Sequence, residues 1–194
     1  MSFKICVSGA AEGDCINPET IKKAEALGKA IAKAKAVIVT GATTGLPYYS
    51  AKGAKKAGGT SIGFSPASTR RDHINRYKLP TKYVDLTVYT GFGYAGRNLI
   101  LTRSADAIII ICGRIGTLNE FTVAFEDKKP IGVLEESGGM ADELEEITRI
   151  AHKHECKVRY DKDPDKLVKG LIEDLKEKFK EDSDKLSPAN NLKI

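Results

Sequence analysis

The sequence predicts an α/β protein with a Rossmann-like, three-layer αβα architecture, built on an open and mostly parallel sheet. Short apolar runs of strand length alternate along the chain with longer stretches of helical periodicity. The run over residues 105–112 is almost continuously apolar and rich in isoleucine, which is typical of a strand buried on both faces. Glycine-containing turns follow several of these runs, at the positions where such sheets bind ligands.

The expected strands and helices alternate along the chain. The strands are the short apolar runs over residues 3–8, 36–40, 60–64, 84–89, 105–112, 130–134 and 156–160. The helices show apolar spacing close to 3.6 residues and cover residues 18–35, 45–57, a stretch starting near 97, and residues 117–125, 137–154 and 164–180. Asn17 and Asp163 each precede proline, which places a capping side chain before the first helical position.

Residues 65–83 break this alternation. They contain two prolines, three arginines and His73, without sustained periodicity. Long loops inside compact domains are uncommon and often functional, so one interpretation is a lid over a ligand site. The other interpretation is a short irregular helix on a solvated surface. His73 alone is weak support for catalysis or metal binding.

Length and composition favour one domain. The 194 residues, 41% of them hydrophobic, suffice for one sizeable core, which we place at residues 1–180 with a polar tail over 181–194. We see no signal peptide and no membrane-spanning segment, and therefore expect a cytoplasmic protein.

The four cysteines have neither CxxC spacing nor nearby histidines. We therefore expect reduced thiols, with Cys6 and Cys112 packed in core strands, and neither a metal site nor a cofactor.

The net charge of +5 is unevenly distributed. Residues 22–82 hold thirteen basic and two acidic side chains, whereas the rest of the chain is net acidic. A basic half can indicate a nucleic-acid surface or a site for small anions. Most of these lysines fall at helix positions among alanines, without interleaved aromatic residues. This pattern favours a solvated helix face and argues against a nucleic-acid partner.

The run Gly-Phe-Gly-Tyr-Ala-Gly over residues 91–96 matches the GxGxxG pattern of dinucleotide-binding turns. That fingerprint also requires an acidic residue about 20 positions later, for the ribose hydroxyls. At that distance the chain offers Ile-Cys-Gly-Arg, and the pattern follows the fourth strand rather than the first. We therefore attribute the match to chance and do not expect NAD binding.

Residues 41–45, Gly-Ala-Thr-Thr-Gly, join the second strand to a helix. This geometry suits phosphate binding through backbone N–H groups, so Gly41, Thr43, Thr44 and Gly45 are candidate ligands of a phosphate. The turn lacks the Gly-Lys-Ser/Thr ending of a P-loop, and nucleoside triphosphate hydrolysis has no support. The alternative is a tight turn that binds nothing.

The most informative turn follows the isoleucine-rich strand. Gly113, Arg114 and Gly116 interrupt the apolar pattern, and helical spacing resumes at Thr117. The first N–H groups of a helix lack intrahelical partners and carry the positive end of its dipole, which suits a phosphate. Glu120 falls on the first turn and is expected to face the same crevice. The alternative is a helix-start glutamate that only complements the dipole.

Residues 113–120, Gly-Arg-Ile-Gly-Thr-Leu-Asn-Glu, resemble the PGGxGTxxE motif of the LOG-like family of Rossmann-type proteins. That family is often mislabelled lysine decarboxylase and includes cytokinin-activating phosphoribohydrolases. Arg97 matches the arginine that the family places on the helix before the motif strand. Residues 41–46 resemble its first glycine-rich turn, GGGxxGL. The similarity covers about residues 3–134 and is closest to an uncharacterised, DprA-related branch.

The resemblance implies a mononucleotide ligand, whose phosphate lies on residues 113–117, and a homodimer through the helices that flank the motif. In the family's hydrolases the matching arginine and glutamate act on the N-glycosidic bond, so Arg97 and Glu120 are the expected catalytic pair. A carboxylate can orient water and stabilise an oxocarbenium-like charge, while a guanidinium can keep that carboxylate ionised. The alternative is a buried ion pair that only joins two helices.

In the PGGxGTxxE motif the chain departs from the family pattern at two positions, besides Ala42 and Thr43, which replace glycines of the first turn. Cys112 replaces the proline, and Arg114 replaces the second glycine. If that glycine requires a positive φ, arginine strains the turn; alternatively, Arg114 adds a phosphate contact.

Three functions stay open. The first is hydrolysis of a nucleoside 5′-monophosphate to free base and ribose 5-phosphate. The second is a carrier or sensor of a nucleotide-containing ligand, like the molybdenum-cofactor carriers, and the third is DNA binding in the manner of DprA.

Overall fold

A parallel sheet of seven strands forms the centre of the computed structural model, which describes residues 2–151 and 156–185. The strands are β1 (Lys4–Gly9), β2 (Val37–Thr40), β3 (Ser61–Ser65), β4 (Leu86–Tyr89), β5 (Ala107–Ile111), β6 (Ile131–Leu134) and β7 (Val158–Asp161). They lie in the order β4-β3-β2-β1-β5-β6-β7, and every neighbouring pair is parallel. The predicted Rossmann-like α/β fold is confirmed.

Helices cover both faces of the sheet. They are α1 (Pro18–Lys33), α2 (Gly45–Lys56), α3 (Arg70–Asn75), α4 (Gly93–Ser104), α5 (Ile115–Glu126), α6 (Met140–Ile150) and α7 (Pro164–Lys185). Contacts of α1 with α2 and α7 define one layer, and contacts of α5 with α4 and α6 define the other. The capping of α1 follows the sequence prediction, because the Asn17 side chain accepts from the N–H groups of Glu19 and Thr20.

The strand side chains alternate between two apolar cores. Ile109 and Ile111 of β5 pack with the α1, α2 and α7 layer, whereas Ile108 and Ile110 pack with the α4, α5 and α6 layer. All four side chains are fully buried, which explains why this strand reads as a continuous apolar run. Cys6 of β1 faces the second core, as the sequence predicted for a packing residue.

The segment between β3 and β4 contains the short helix α3, which the sequence offered as the alternative to a long loop. Thr69 caps it by accepting from the Asp72 N–H (3.1 Å). The helix is not wholly solvated, because His73 is 1% exposed. Helix α4 begins at Gly93, a full turn before the expected start at Arg97, because glycines in its first turn weaken the helical pattern.

Strand order reverses between β1 and β5, and this reversal positions the site. From β1 the chain steps outward to β2, β3 and β4, and it then returns to the other side of β1 as β5. The connections that follow β1 and β5 lie on opposite faces of the sheet. This leaves a crevice at the carboxyl ends of the two strands.

Helix α7 continues to Lys185, so part of the expected tail over residues 181–194 is helical, and the rest lies outside the described residues. The end of the helix expected over residues 137–154 also lies outside them. Among the helices that the structure describes, none combines the length and the apolar character that crossing a membrane requires.

Candidate functional site

A cavity of about 410 Å³ opens at the carboxyl ends of β1, β2 and β5. Its volume lies in the range of about 300–1,000 Å³ that small-molecule sites occupy. The predicted site residues that line it are Gly41, Thr43, Thr44, Arg97, Arg114, Gly116, Thr117 and Glu120. The fold therefore brings both glycine turns and the arginine–glutamate pair to one opening.

Gly45 and Gly113, the other two predicted phosphate ligands, shape the turns behind the cavity wall. Both have left-handed backbone, with φ of 70° and 103°, which glycine adopts without steric cost. A Cβ at Gly45 would collide with the Ala10 carbonyl, and one at Gly113 would collide with the Thr117 side chain. These glycines allow close packing of the turns.

The turn after β2 has donors that are already engaged. The Leu46 N–H donates to the Ala10 carbonyl (2.9 Å), and Pro47 has no N–H. The Thr44 hydroxyl donates to the Ala11 carbonyl (3.0 Å). Much of this turn therefore serves to join α2 to the loop after β1, which makes it a poorer anion site than the sequence indicated.

The turn after β5 presents the start of α5 to the cavity. Arg114 is the N-cap residue, with extended backbone (φ −132°, ψ −159°), and no side chain caps the helix. Gly116 and Thr117 of the first turn line the cavity, so the positive end of the helix dipole lies beside it. Because the backbone at Arg114 is extended, this position needs no glycine and the arginine causes no strain.

Arg114 lies at the cavity mouth and forms an ion pair across it. Its Nη2 is 2.9 Å from Glu12 Oε1, on the loop after β1. Both side chains are more than half exposed, and exposed pairs contribute little to stability. A phosphate can therefore take the place of the Glu12 carboxylate beside this guanidinium at little cost.

Arg97 on α4 and Glu120 on α5 form a buried ion pair in the cavity wall. Arg97 Nη1 is 3.5 Å from Glu120 Oε1, and the two residues are 5% and 6% exposed. A Cβ at Gly41 would collide with the Arg97 guanidinium, so glycine at this position makes room for the pair. The pairing that the family motif predicted is therefore present in the geometry.

The Glu120 carboxylate also accepts hydrogen bonds from two other residues. The Ser8 hydroxyl donates to Oε2. With its amide oriented to donate, Asn98 Nδ2 lies 3.0 Å from Oε1 and 2.9 Å from the Tyr94 carbonyl. Both carboxylate oxygens thus accept hydrogen bonds from donors inside the protein. Arg97 Nε, in contrast, has no hydrogen-bond partner in the described part of the chain.

Burial raises the pKa of the Glu120 carboxyl above its ordinary value, while the Arg97 charge and the Ser8 hydrogen bond act in the opposite direction. Burial also raises the pKa of the Cys6 thiol well above its ordinary value, and the nearby Glu120 charge adds to the rise. A thiol that stays protonated is a poor nucleophile, so Cys6 serves as packing beneath the pair.

Sequence reasoning missed two parts of the cavity wall and left a third open. The missed parts are residues 7–12, at the end of β1 and in the loop after it, and Tyr94 with Asn98 on α4. The third is the stretch Tyr77, Lys78 and Leu79 before β4, in the segment that one interpretation of the sequence took as a lid over a ligand site. The sequence does indicate the first of these parts, since an apolar first strand ending in Ser-Gly is expected beside the central strand of such a sheet. The other two depend on the path of the chain between β3 and β4, which periodicity does not encode.

His73 anchors the segment that carries Tyr77 and Leu79. Ser65 Oγ lies 2.8 Å from Nδ1 of the ring, and the Pro80 carbonyl lies 3.0 Å from Nε2. Because a carbonyl only accepts, Nε2 carries a proton and donates to Pro80, and in the neutral ring the Ser65 hydroxyl donates to Nδ1. Both ring nitrogens are bonded inside the protein, so His73 is a structural residue.

A disulfide joins the loop after β1 to the turn after β5, which corrects the expectation of reduced thiols. The Cα atoms of Cys15 and Cys112 are 6.4 Å apart, within the usual range of about 4.4–6.8 Å. Cys112 also follows β5 rather than lying within it. The two residues are 97 positions apart, and sequence spacing does not reveal a pair that only the fold brings together. Cys6 and Cys156 are free thiols.

Within residues 2–151 and 156–185, no group of His, Cys, Asp and Glu side chains is arranged to hold a metal ion. The functional groups of the cavity are two guanidiniums, the ammonium of Lys78, two carboxylates, the amide of Asn98, hydroxyls, aromatic rings and backbone donors.

This combination of fold and motif has counterparts among known proteins. The model of the SLOG cluster4 family matches residues 2–168. The chain belongs to the SLOG cluster4 family. An uncharacterised protein from Archaeoglobus fulgidus is 33% identical over 132 residues, which are 68% of this SLOG cluster4 chain and 80% of that protein.

Solved structures relate this SLOG cluster4 protein to proteins with a described ligand. A molybdenum cofactor binding protein from Rippkaea orientalis is 30% identical, with a TM-score of 0.69 over 89% of this chain and 98% of that one. A molybdenum cofactor carrier protein from Chlamydomonas reinhardtii is 26% identical, with a TM-score of 0.72 over 92% and 99%. DNA processing protein A from Helicobacter pylori, at 20% identity and a TM-score of 0.61 over 89% and 81%, shares the fold alone.

Proposed function

We propose that this protein binds a phosphate-bearing, nucleotide-type ligand in the cavity at the strand tips. The observation that carries the proposal is the buried Arg97, which lines the cavity and keeps its Nε–H without a partner in the described chain. An unpartnered buried donor is costly, and a small rotation of the guanidinium toward an anionic ligand in the cavity would satisfy it. The uncapped start of α5 and the guanidinium of Arg114 add positive potential to the same opening.

The geometry favours a carrier or sensor over a hydrolase. A general base needs a free lone pair within reach of the water it activates, and internal donors take three of the four on Glu120: Arg97 and Asn98 on Oε1, and Ser8 on Oε2. In this arrangement Glu120 holds Arg97 in place for the ligand. The likeness to two molybdenum cofactor binding proteins supports the same conclusion.

Hydrolysis of the N-glycosidic bond of a nucleoside 5′-monophosphate is the second candidate. It is favoured by one observation: Arg97 and Glu120 are paired in the cavity at the two positions that match the motif of the hydrolases. For this reaction Oε2 of Glu120, which accepts only from Ser8, would have to orient water toward the ribose carbon with its second lone pair.

Incubation with AMP and N6-substituted AMP separates the two candidates. We expect saturable binding by calorimetry and no free base by chromatography, because internal donors take three of the four acceptor sites of Glu120. Release of base by the wild-type protein, abolished in Glu120→Gln, would establish the hydrolase instead. Absence of binding together with absence of release would contradict the proposed function itself.

Replacing Arg114 with alanine should weaken the binding of AMP by about tenfold or more, since a hydrogen bond to a charged group contributes about 1.5–3 kcal/mol. The free energy of unfolding should change little, because the pair of Arg114 with Glu12 is exposed. Arg103→Ala is the matched control, as Arg103 is also exposed and paired, with Asp127, but does not line the cavity. Equal losses in both variants would exclude a role for Arg114 in the site.

A homodimer through α4 and α5 is part of the proposal. The large apolar side chains Phe92, Leu99 and Ile115 are exposed at the start or on the outer side of these two packed helices. Ile115 is 77% exposed, and a contact with a second copy would bury these side chains. A second copy is the occupant that the family resemblance implies.

The Leu99→Asp variant should be monomeric in sedimentation experiments under conditions in which the wild-type protein is a dimer, because a carboxylate in an apolar interface is strongly unfavourable. Ile150→Asp is the control, since Ile150 is also exposed but lies at the end of α6. A wild-type protein that sediments as a monomer at all concentrations would contradict the dimer.

A further inference from the structure

Two tyrosines stand together in the cavity wall, and the proposed phosphate site does not use them. Tyr94 lies in the first turn of α4, and Tyr77 follows α3 in the segment before β4. Their ring centroids are 5.6 Å apart, with the planes at 80° to each other. Tyr94 is 50% exposed and Tyr77 is partly exposed, so the pair presents aromatic surface to the opening.

Contacts within the protein restrain the Tyr94 ring and the backbone that carries Tyr77. The Arg97 guanidinium lies 5.9 Å from the centre of the Tyr94 ring, one helical turn further along α4. The Tyr77 N–H donates to the Asp72 carbonyl (2.9 Å), on the helix that His73 anchors to Ser65. A rigid aromatic wall binds a flat ring at a lower entropic cost than a mobile one.

We propose that Tyr77 and Tyr94 form a subsite for the planar heterocycle of the ligand, so that the site selects a nucleotide with an aromatic base over a sugar phosphate. This inference rests on the proposed function, since it assigns the ring-binding part of the same cavity. The buried Leu79 continues the apolar wall beside Tyr77. The guanidinium of Arg97 lies within cation–π distance of the Tyr94 ring and pairs with Glu120, and it therefore links the ring subsite to the anion site.

The chemistry of the wall favours a ring over other ligand groups. Stacking on an aromatic face tolerates different bases, because every base has a π-face, and it requires no hydrogen bond from the ring. A ribose or a phosphate gains little from such a surface. The two tyrosines therefore provide affinity for the heterocycle, while the start of α5 and Arg114 provide affinity for the anion.

Calorimetric titration with AMP and with ribose 5-phosphate tests this division of roles. The wild-type protein should bind AMP more tightly than ribose 5-phosphate. Tyr94→Leu and Tyr77→Leu should each weaken AMP binding between about 5-fold and 150-fold, the range expected for loss of one stacking contact. Binding of ribose 5-phosphate should change by less than about twofold, so the preference for AMP should fall in each variant.

Tyr48→Leu is the matched control. Tyr48 forms an edge-to-face pair with Tyr83, at 5.3 Å between ring centroids, but neither residue lines the cavity. This variant should bind both ligands like the wild type. Circular dichroism and thermal unfolding of all three variants identify any that fail to fold.

The outcomes distinguish the subsite from the function on which it rests. If the wild-type protein binds neither ligand, the proposed function fails and the subsite fails with it. If it binds both ligands and the tyrosine variants keep the preference for AMP, the subsite is overturned while the anion site stands. Equal weakening of both ligands in folded variants would make the tyrosines structural residues and would also overturn the subsite.

Discussion

The Arg97→Met variant should lose about 3–5 kcal/mol of unfolding free energy at neutral pH, because it leaves the Glu120 carboxylate buried without its cation. Methionine keeps most of the volume of the arginine stem, so the loss reports the missing charge more than a cavity. Denaturant unfolding followed by circular dichroism measures it.

The loss should depend on pH in a defined direction. Burial raises the pKa of Glu120, and the Arg97 charge opposes that rise, so the pKa rises further in the variant. A carboxyl whose folded-state pKa lies above its unfolded value stabilises the fold fully below the unfolded pKa, and this stabilisation is lost as the pH rises through the folded pKa. The deficit of Arg97→Met should therefore be smallest near the ordinary value of 4.5 and grow toward neutral pH.

The double variant Arg97→Met/Glu120→Gln is the control for this prediction. It removes both charges, and it should recover much of the stability that Arg97→Met loses, with little remaining dependence on pH. A deficit of Arg97→Met that is the same at pH 5 and pH 7.5, and that the double variant does not reduce, would show that Arg97 matters through packing alone.

Reduction of the Cys15–Cys112 disulfide should lower the free energy of unfolding by about 4 kcal/mol. The bridge spans 97 residues, and closing a loop of about 100 residues is worth about 4.7 kcal/mol in the chain-entropy treatment. Unfolding of the Cys15→Ser variant, compared with the oxidised wild-type protein, measures the same quantity. Cys156→Ser should have a much smaller effect, since Cys156 is a free and only partly buried thiol.

Thiol counting provides a direct check of the bridge. The denatured protein should show two reactive thiols before reduction, from Cys6 and Cys156, and four afterwards. Four thiols in the protein as purified without reductant, together with equal stability of Cys15→Ser and the wild type, would contradict the disulfide and restore the sequence-based expectation.

Most of the fold could be predicted from the sequence, because its signals are local. The buried run that became β5 and the Asn-Pro start of α1 follow from periodicity and capping alone. The glycine turns also fell at strand tips as expected. Their detailed roles did not follow, because Gly41 and Gly45 are equivalent in sequence while only the fold places Arg97 against the first and Ala10 against the second.

The parts of the site that sequence reasoning missed depend on contacts between distant segments. Tyr77 and Tyr94 are adjacent because α3 and α4 fold to the same side of the opening, and nothing in their own neighbourhoods indicates that. Ser8 reaches Glu120 across 112 positions, and the disulfide spans 97. Such contacts can be identified only once the strand order is known.

A crystal structure of the protein with AMP is the most direct test of the binding site proposed at the strand tips. The phosphate should lie within hydrogen-bond distance of the first N–H groups of α5 and of the guanidinium of Arg114 or Arg97. A phosphate seated instead on the glycine turn over residues 91–96, or AMP bound outside the cavity, would contradict the account.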